Sequence, residues 1–419
     1  MKNPGYISGW TMNYLGGWNA DYQTGKLATL KFDEITHLVY SYLSVAADAS
    51  LYSGFGWDFV LRTVEAGHAH GVPVIISINS VDSLMPIVDS DALLATFVTN
   101  VKNILIAYDA EGVGIDWENR AAYGARYHKL VSALYSALHP IGKIITISGA
   151  WDWTKILNLP SSDAYMVEFV EVMTYDMSYS PATAYPPDPS SFEDIVAAVN
   201  AWVNAGWPKD KILPGIPFYG EGQNGAHVLY SEIVPVVNPT PEQNEANITS
   251  ISTPRGTIAL TAPLVWNGID RVIQKVRYVK ENLFGGVFFF DIGEDMLNND
   301  PRSLLDAAYS EMVACPITFD LAIAVSGQGT TTPAPGNYQI DAGAVVTVEA
   351  RPATGWHLAN WSNNPAWTDN PTSWTMVEGV AITAVFEQDA APPPPSYSSV
   401  GLVVVLAIMA ILGSNRKGG

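Results

Sequence analysis

Short apolar runs rich in β-branched and aromatic residues alternate with longer amphipathic segments over the first 312 residues. Segments between the runs carry apolar residues at helical spacing, most clearly in residues 90–108, 121–139 and 269–283. Repeated βα units over about 250 residues or more predict an α/β fold, a (β/α)8 TIM barrel in residues 1–312. Eight runs are predicted to be its buried strands: GYISGW, EITHLVYSYLSV, VPVIISINS, AEGVGIDWE, KIITISGAW, VEVMTYDMSY, KILPGIPFYG and GGVFFFDIG.

A doubly wound sheet is the alternative arrangement for the same pattern. It is disfavoured because no GxGxxG-type phosphate loop follows any predicted strand. Polar residues instead cluster at the carboxyl ends of the strands, where a barrel has its active site.

The pattern changes after the barrel. Residues 316–387 contain short alternating strands separated by Gly and Pro turns, which predicts a small all-β module. Residues 388–399 form a proline-rich linker.

An apolar tail, residues 400–419, ends the chain with Arg416 and Lys417. The uncharged window from Ser396 to Asn415 reaches the ~20 residues that a bilayer span needs, so a membrane anchor or sorting tail is expected. A terminal helix docked on the barrel is the alternative, which the tetraproline disfavours. The first ten residues, MKNPGYISGW, lack the apolar core of a secretory signal.

Composition excludes several classes of partner. With 21 basic and 41 acidic residues the net charge is −20, so nucleic acid would be repelled. A single cysteine, Cys315, excludes a disulfide framework and a cysteine-clustered metal site. The seven histidines show no HExxH spacing, and His68 with His70 is predicted to lie at an exposed helix end. We expect no metal, no cofactor and a monomer.

The segment GVGIDWEN places acids where a buried strand is predicted. Side chains alternate along a strand, so Asp116 and Glu118 share one face with Gly114, while the apolar residues face the helices. Both acids are predicted to point into the barrel near its mouth. Two such close carboxyl groups cannot both ionise freely, and one should keep the proton that a general acid needs. An ion pair with a basic barrel residue is the alternative, but no predicted strand carries one on its inward face.

This strand resembles the signature strand of family 18 glycoside hydrolases, the chitinase-like enzymes, whose pattern is DGxDxDxE. Further segments match in order: Ser77–Asn79 at the SxGG position, Met173–Asp176 as MxYD, Gly215–Gly220, and Gly285–Asp291 in the last strand. The departures from the family pattern are Glu111, Gly114, Asn79, Ser80 and Phe290, the last replacing a tryptophan.

The resemblance implies a retaining mechanism in which the substrate's 2-acetamido oxygen attacks the anomeric carbon. Glu118 would be the general acid/base, Asp116 would hold the acetamide N–H, and Tyr175 would donate its hydroxyl to the acetamide carbonyl. Met173 and Asp176 would shape the floor of the subsite. A core tyrosine is the alternative role for Tyr175.

Aromatic residues are expected to supply the remaining sugar contacts, because sugar C–H faces stack on aromatic rings. Each candidate has a core position as its alternative. The mouth-side candidates are Trp10, Tyr42, Trp151, Tyr219, Trp266 and Phe290.

The all-β module resembles bacterial repeat domains of surface proteins, which share a core AGxxVTxxAxPxxGWxxxxW. Its tryptophans, Trp356, Trp361, Trp367 and Trp374, are candidates for glycan binding. The favoured interpretation makes Trp356 and Trp361 core residues of a spacer, because so short a sheet needs large residues to stabilise it.

The expected function is hydrolysis of β-1,4-linked N-acetylglucosamine polymers, chitin or chitooligosaccharides, outside the cell or at its surface. The alternatives are hydrolysis of peptidoglycan glycan and non-catalytic glycan binding by a chitinase-like protein. Presence of Glu118 favours the enzyme, since sugar-binding relatives of the family commonly lose that acid.

Overall fold

The computed structural model describes the backbone of residues 6–11 and residues 27–118, 124–151, 159–177, 188, 190–296, 300–314, 318–362 and 369–390. Internal contacts divide the chain into two compact units, Met1–Ile317 and Thr318–Gly419. Each unit has its own hydrophobic core within the described residues.

The strands of the first unit fall into a central barrel and an inserted region. In chain order they are β1 (Tyr6–Thr11), β2 (His37–Val45), β3 (Leu51–Ser53), β4 (Val74–Ser80), β5 (Gly112–Trp117), β6 (Ile144–Ala150), β7 (Val170–Met173), β8 (Ile212–Pro217), β9 (Tyr219–Gly222), β10 (His227–Leu229), β11 (Glu245–Ala246), β12 (Ser250–Thr253), β13 (Gly256–Ala259), β14 (Leu264–Trp266) and β15 (Gly286–Phe290).

Eight parallel strands close into a barrel in the order β1, β2, β4, β5, β6, β7, β8 and β15. Closure is made by β1, which pairs in parallel with β2 on one side and with β15 on the other. The remaining neighbours are also parallel. The predicted (β/α)8 barrel is therefore confirmed.

Helices connect the barrel strands and cover the outside of the sheet. In chain order they are α1 (Trp57–Ala69), α2 (Leu84–Asp89), α3 (Asp91–Ala107), α4 (Ala125–Leu138), α5 (Phe192–Asn204), α6 (Tyr230–Val237), α7 (Ile269–Glu281) and α8 (Leu304–Val313).

Helix starts follow local side-chain caps. The Ser90 hydroxyl accepts a hydrogen bond from the Leu93 N–H at 3.3 Å and fixes the start of α3, one residue inside the predicted 90–108 segment. Ser191 and Ser303 cap α5 and α8 in the same way. Helix α7 ends two residues before the end of its predicted segment.

An inserted region lies between β8 and β15, and the sequence pattern does not predict it. The segment predicted as one strand, KILPGIPFYG, divides into β8 and β9, which belong to different sheets. Strand β9 pairs with β10 and β14, and β14 also pairs with β11; all these pairings are antiparallel. The insertion therefore carries its own small sheet next to the ends of the last barrel strands.

Side-chain alternation along β5 is as the sequence predicts. Val113, Ile115 and Trp117 are buried in the main hydrophobic cluster, where Trp117 stacks on Tyr127 of α4 with ring centroids 5.9 Å apart. The opposite face lines the interior of the barrel and is polar in its upper part.

Two polar layers follow from the register of the neighbouring strands. Ser77 of β4 is level with Gly114, which is level with Thr146 of β6. One layer nearer the strand ends, Asn79 is level with Asp116. An apolar cluster fills the rest of the barrel interior: Val39, Ile75, Phe169, Tyr175, Leu213 and Phe288.

The second unit consists of strands β16 (Thr318–Ser326), β17 (Gly329–Thr332), β18 (Gly336–Asp341), β19 (Val345–Pro352), β20 (Trp356–Ser362), β21 (Thr372–Thr375) and β22 (Val380–Gln388). They form a four-stranded and a three-stranded sheet. Trp361 is 2% exposed in the core, and its indole N–H donates to the Asp369 carbonyl at 3.1 Å. Trp356 and Trp374 pack partly buried against that core, and Trp367 lies outside the described residues.

Within the described part of the chain, none of the helices has the length and apolar character that crossing a bilayer requires. The predicted anchor, residues 400–419, lies outside the described residues, as does most of the proline-rich linker.

Candidate active site

Asp116 lies at the carboxyl end of β5 and is 6% exposed. Its Oδ2 accepts a hydrogen bond from Asn79 Nδ2 at 2.7 Å, across the β4–β5 pairing. Its Oδ1 is buried and has no hydrogen-bond partner within 3.5 Å among the described residues. One oxygen is therefore fixed by the scaffold, and the other is left for a ligand or a proton.

The environment of Asp116 favours its protonated form. Burial raises the pKa of Asp116 to about 7, and the negative charge of Glu118 adds to this effect. The hydrogen bond from Asn79 and the nearby Ser148 hydroxyl act in the opposite direction and lower this pKa. The sequence predicted that one of the two acids keeps its proton near neutral pH, and the structure places this property on Asp116.

Glu118 is the first residue after β5, and it is exposed. Its backbone N–H donates to the Ser80 carbonyl at 3.0 Å, which continues the β4–β5 pairing by one residue. The carboxyl group thus stands at the mouth of the barrel on a fixed backbone. A solvent-accessible acid beside a buried one suits proton exchange with a bound ligand.

The space at Gly114 is already occupied by its neighbours. A Cβ atom on Gly114 would lie 3.2 Å from Thr146 Oγ1 and 3.5 Å from Ser77 Cα. Ser77 and Thr146 are fully buried, and their hydroxyls have no hydrogen-bond partner among the described residues. The missing side chain leaves room for Thr146 rather than an open cavity.

Tyr175 follows β7 and is 7% exposed. Its ring stacks on Phe290 with centroids 5.2 Å apart and meets Phe288 edge-on. Burial raises the pKa of Tyr175 well above its usual value, and the charges of Asp116, Asp176, Glu171 and Glu118 raise it further. Its phenol therefore remains a hydrogen-bond donor over the whole working pH range.

Asp176 is held by a tyrosine of the insertion. The Tyr219 hydroxyl donates to Asp176 Oδ1 at 2.6 Å, and Asp176 has a φ of +51°, a left-handed conformation that is uncommon outside glycine. Behind Tyr219 lies the His227 ring, 4.2 Å away between centroids. Burial lowers the pKa of His227 to about 4, and its Nε2 lies 3.0 Å from Glu294 Oε1. Sequence analysis did not identify His227, because its only signal is one isolated histidine.

The remaining predicted contact residues differ in position. Met173 and Phe290 are half-buried against the apolar cluster inside the barrel. Tyr42 is half-buried on β2, and Trp151 is half-buried directly after β6 and packs on the main core. For Trp10 only the backbone, in β1, is described.

Trp266 does not stand at the mouth as a sugar platform. It is 1% exposed, lies in the main hydrophobic cluster, and is paired through β14 with Gly220 of β9. A Cβ atom on Gly220 would lie 3.2 Å from Trp266 Cβ, which shows how closely the two strands pack. The predictions that Trp266 and Tyr219 offer stacking faces at the mouth are corrected, because both are buried on strands of the inserted sheet and not of the barrel.

Glu111, which stands where the signature motif has its first aspartate, has a structural role. Its Oε2 accepts a hydrogen bond from the Val74 N–H at 2.6 Å, and its Oε1 lies 3.0 Å from His68 Nε2. It thereby joins the starts of β4 and β5 to the end of α1. Among the described residues no group of three or more His, Cys, Asp or Glu side chains is arranged to hold a metal ion.

Sequence comparison finds similarity to proteins named as chitinases. A chitinase-like effector of Moniliophthora roreri is 25% identical over 227 residues, 47% of this chain and 55% of the relative. Chitinase A1 of Niallia circulans is 26% identical over 163 residues, 31% of this chain and 23% of the relative. The chain thus matches about half or less of the length of these relatives.

Structural comparison places the fold among chitinases. A crystal structure of a chitinase from Bacteroides thetaiotaomicron has a TM-score of 0.61 at 22% identity and covers 74% of this chain and 96% of that chain. The chitinase ChiB of Flavobacterium johnsoniae has a TM-score of 0.60 at 20% identity, covering 74% and 94%. At this identity the likeness shows the fold.

Family models match both units. Residues 319–390 match the divergent InlB B-repeat domain, which agrees with the bacterial repeat module expected from the sequence. Residues 10–295, well over half of the chain, match the glycosyl hydrolases family 18 model. With the closed barrel and the acids at the end of β5, this match shows that the chain belongs to family 18 of the glycosyl hydrolases.

Proposed function

We propose that the barrel hydrolyses β-1,4-linked N-acetylglucosamine polymers, chitin or chitooligosaccharides, by a retaining, substrate-assisted mechanism. One observation carries the proposal: the exposed Glu118 carboxyl group stands two residues after the buried Asp116, whose pKa is raised to about 7. An interacting pair of this kind retains a proton up to about pH 7 and can present it at the barrel mouth.

The chemistry needs one protein acid and a positioned acetamide. Glu118 donates a proton to the leaving glycosidic oxygen while the substrate's acetamido oxygen attacks the anomeric carbon, which forms an oxazolinium ion. Glu118 then removes a proton from the water that opens this ion. Because Glu118 must hold the proton when the bond breaks, substrate binding has to move the proton of the pair onto it.

Asp116 and Tyr175 act on the acetamide group. The partner-free Oδ1 of Asp116 can accept the acetamide N–H, and its negative charge offsets the positive charge of the oxazolinium ion. Tyr175 keeps its proton and can donate to the acetamide oxygen. Asn79, through its hydrogen bond to the other oxygen, fixes the orientation of the Asp116 carboxyl group.

The comparisons support chitin as the substrate class. Several relatives are named chitinases, and one structural neighbour was crystallised with a penta-N-acetyl chitooligosaccharide. The net charge of −20 suits a neutral polysaccharide better than an acidic one.

The test uses Glu118→Gln in the full chain, incubated with defined chitin oligomers, and the products are identified by mass. Glu65→Gln, an exposed isosteric change on α1, is the matched control. We expect Glu118→Gln to reduce turnover by several orders of magnitude while oligomer binding survives, because glutamine keeps the shape but cannot donate the proton.

Unchanged turnover in Glu118→Gln would overturn the role of Glu118. Binding without hydrolysis by the unaltered protein would favour the non-catalytic alternative. A parallel incubation with muramyl glycan strands tests the peptidoglycan alternative, which is favoured if those strands are cleaved and chitin oligomers are not.

The rest of the chain is proposed to hold the enzyme at the cell surface. The repeat unit acts as a spacer, in keeping with the burial of Trp361 in its core, and residues 400–419 act as the membrane anchor or sorting tail. The tetraproline segment separates the tail from the barrel, so anchoring and hydrolysis are expected to be independent.

A further inference from the structure

Lys275 of α7 is completely buried and is not part of the proposed chemistry. Its Nζ donates three hydrogen bonds: to the Ser190 carbonyl at 2.5 Å, to Ser190 Oγ at 2.9 Å and to Asn267 Oδ1 at 2.6 Å. All three acceptors are uncharged, and both residues that provide them are themselves buried. Burying an ammonium group among neutral acceptors is costly, so the arrangement calls for an explanation.

The charges around Lys275 do not compensate for its burial. Asp188, in the loop before α5, and Glu193 and Asp194, in the first turn of α5, favour the charged form, whereas Arg271 on α7 opposes it. Asp188 is itself engaged in an ion pair with Arg271. Burial dominates and lowers the pKa of Lys275 to about 7.

A directed chain of hydrogen bonds joins Lys275 to the candidate site. Ser190 Oγ accepts from Lys275 and donates its own hydrogen to the Thr174 carbonyl at 2.7 Å. The Thr174 hydroxyl donates to the Gly215 carbonyl on β8 at 2.6 Å. Thr174 directly precedes Tyr175, and all the hydrogen-bonding groups of this chain are buried.

Counting hydrogens shows why the charge of Lys275 matters. An ammonium group has three N–H donors and satisfies the three acceptors, but a neutral amine has only two. On deprotonation, one acceptor loses its partner, or Ser190 turns its only hydrogen toward the amine and releases the Thr174 carbonyl. The backbone that carries Tyr175 is then held less firmly.

We propose that Lys275 is a positioning residue for Tyr175, and that its protonated form, acting through Ser190 and Thr174, holds the end of β7 in the productive geometry. The catalytic part of this inference rests on the proposed hydrolysis. The coupling of Lys275 to Tyr175 is a property of the folded chain and can be measured without substrate.

The most informative variant is Asn267→Asp, which keeps the size of the side chain and places a carboxylate 2.6 Å from the ammonium. An adjacent negative charge raises the pKa of a lysine by about 1 to 3 units. We expect the Lys275 step in the kcat/KM profile to move upward by about one unit or more, so that the alkaline limb just above pH 7 becomes less steep. Lys280→Met, in the last turn of α7, is the control and should leave the profile unchanged.

Two NMR signals report the coupling directly. The Lys275 side chain is titrated by its Nζ or Cε resonance. The Tyr175 backbone amide is followed over the same pH range in protein labelled with ¹⁵N at tyrosine only, where its signal is assigned by its loss in Tyr175→Phe. We expect the Tyr175 amide to shift with the midpoint of Lys275, and both midpoints to move together in Asn267→Asp.

Ser190→Ala provides an independent test, because it removes the hydroxyl link and leaves Lys275 its other two acceptors. The Tyr175 amide should no longer follow Lys275, and kcat/KM should fall about tenfold without the Lys275 step in its pH profile. The inference is overturned if the chemical shift of the Tyr175 amide does not change with the ionisation of Lys275 in the unaltered protein. It is also overturned if that shift still changes with the ionisation of Lys275 in Ser190→Ala. Absence of hydrolysis with the NMR coupling intact would overturn only the proposed function.

Discussion

Replacing Asp116 by asparagine should stabilise the protein, and the gain should grow with pH. Asp116→Asn keeps the side-chain shape and can still accept the hydrogen bond from Asn79 Nδ2. It removes the negative charge that burial disfavours. The Ser148 hydroxyl, which lies close enough to influence this carboxyl group, can accept one hydrogen of the new amide.

The size of the effect follows from the shift in the pKa of Asp116, from 3.8 to about 7. A shift of about 3 units at 1.36 kcal/mol per unit corresponds to on the order of 4 kcal/mol. The folded protein binds this proton more tightly than the unfolded chain does. Asp116 therefore lowers the stability as the pH rises from about 4 to about 7, with no further change above that range.

Unfolding by urea at pH 4.5 to 8.5 and constant ionic strength measures the effect in the full chain. The difference in the free energy of unfolding between Asp116→Asn and the unaltered protein removes the contribution of other titrating groups, because it is the same in both proteins. Asp58→Asn, at an exposed site on α1, controls for loss of one negative charge. A stability difference that stays constant over this pH range would refute the proposed protonation of Asp116.

A second comparison isolates the contribution of Glu118. Its charge is the second cause of the raised pKa of Asp116, after burial. In a Glu118→Gln background the pKa of Asp116 should fall, and the pH-dependent gain from Asp116→Asn should become smaller. An unchanged gain would show that the two acids do not interact.

Two further changes test the lumen and the tail. Gly114→Asp should raise the pKa of Asp116 and move the alkaline limb of the pH–rate profile upward. It is made in a Thr146→Ala background, which removes the 3.2 Å contact between the new Cβ and Thr146 Oγ1. An unchanged alkaline limb in a folded variant would contradict proton sharing. Deleting residues 396–419 should transfer a membrane-associated protein to the soluble fraction with full activity, whereas equal fractionation of both forms would rule out the anchor.

The barrel could be predicted because all its strands except β7 have at least five residues and alternate with clearly periodic helices. Strand β5 alternates strictly, so its apolar face, its polar face and the position of Asp116 follow from sequence alone. The insertion between β8 and β15 could not be predicted in the same way. Its strands are only two to four residues long, too short to show a period.

The same limit explains the misplaced Trp266. An aromatic residue near a predicted strand end could face the barrel mouth or a second sheet, and pattern alone does not say which sheet the strand joins. Lys275 was missed for a different reason. A lysine on an amphipathic helix is ordinarily exposed, and only the fold shows that this one lies on the buried face with neutral partners.

Asp116 and Lys275 lie in different parts of the unit, yet burial brings the pKa of each to about 7 from opposite directions. Both groups lose a proton over the same pH range: the carboxyl pair loses the proton that Glu118 must donate, and Lys275 loses the charge that holds Tyr175. If both protons are required for activity, the alkaline limb of log kcat/KM against pH has a slope near −2 instead of −1. Asn267→Asp moves one loss upward, so the slope just above pH 7 should return toward −1. A slope of −1 in the unaltered protein would mean that only one of the two protons is needed for activity.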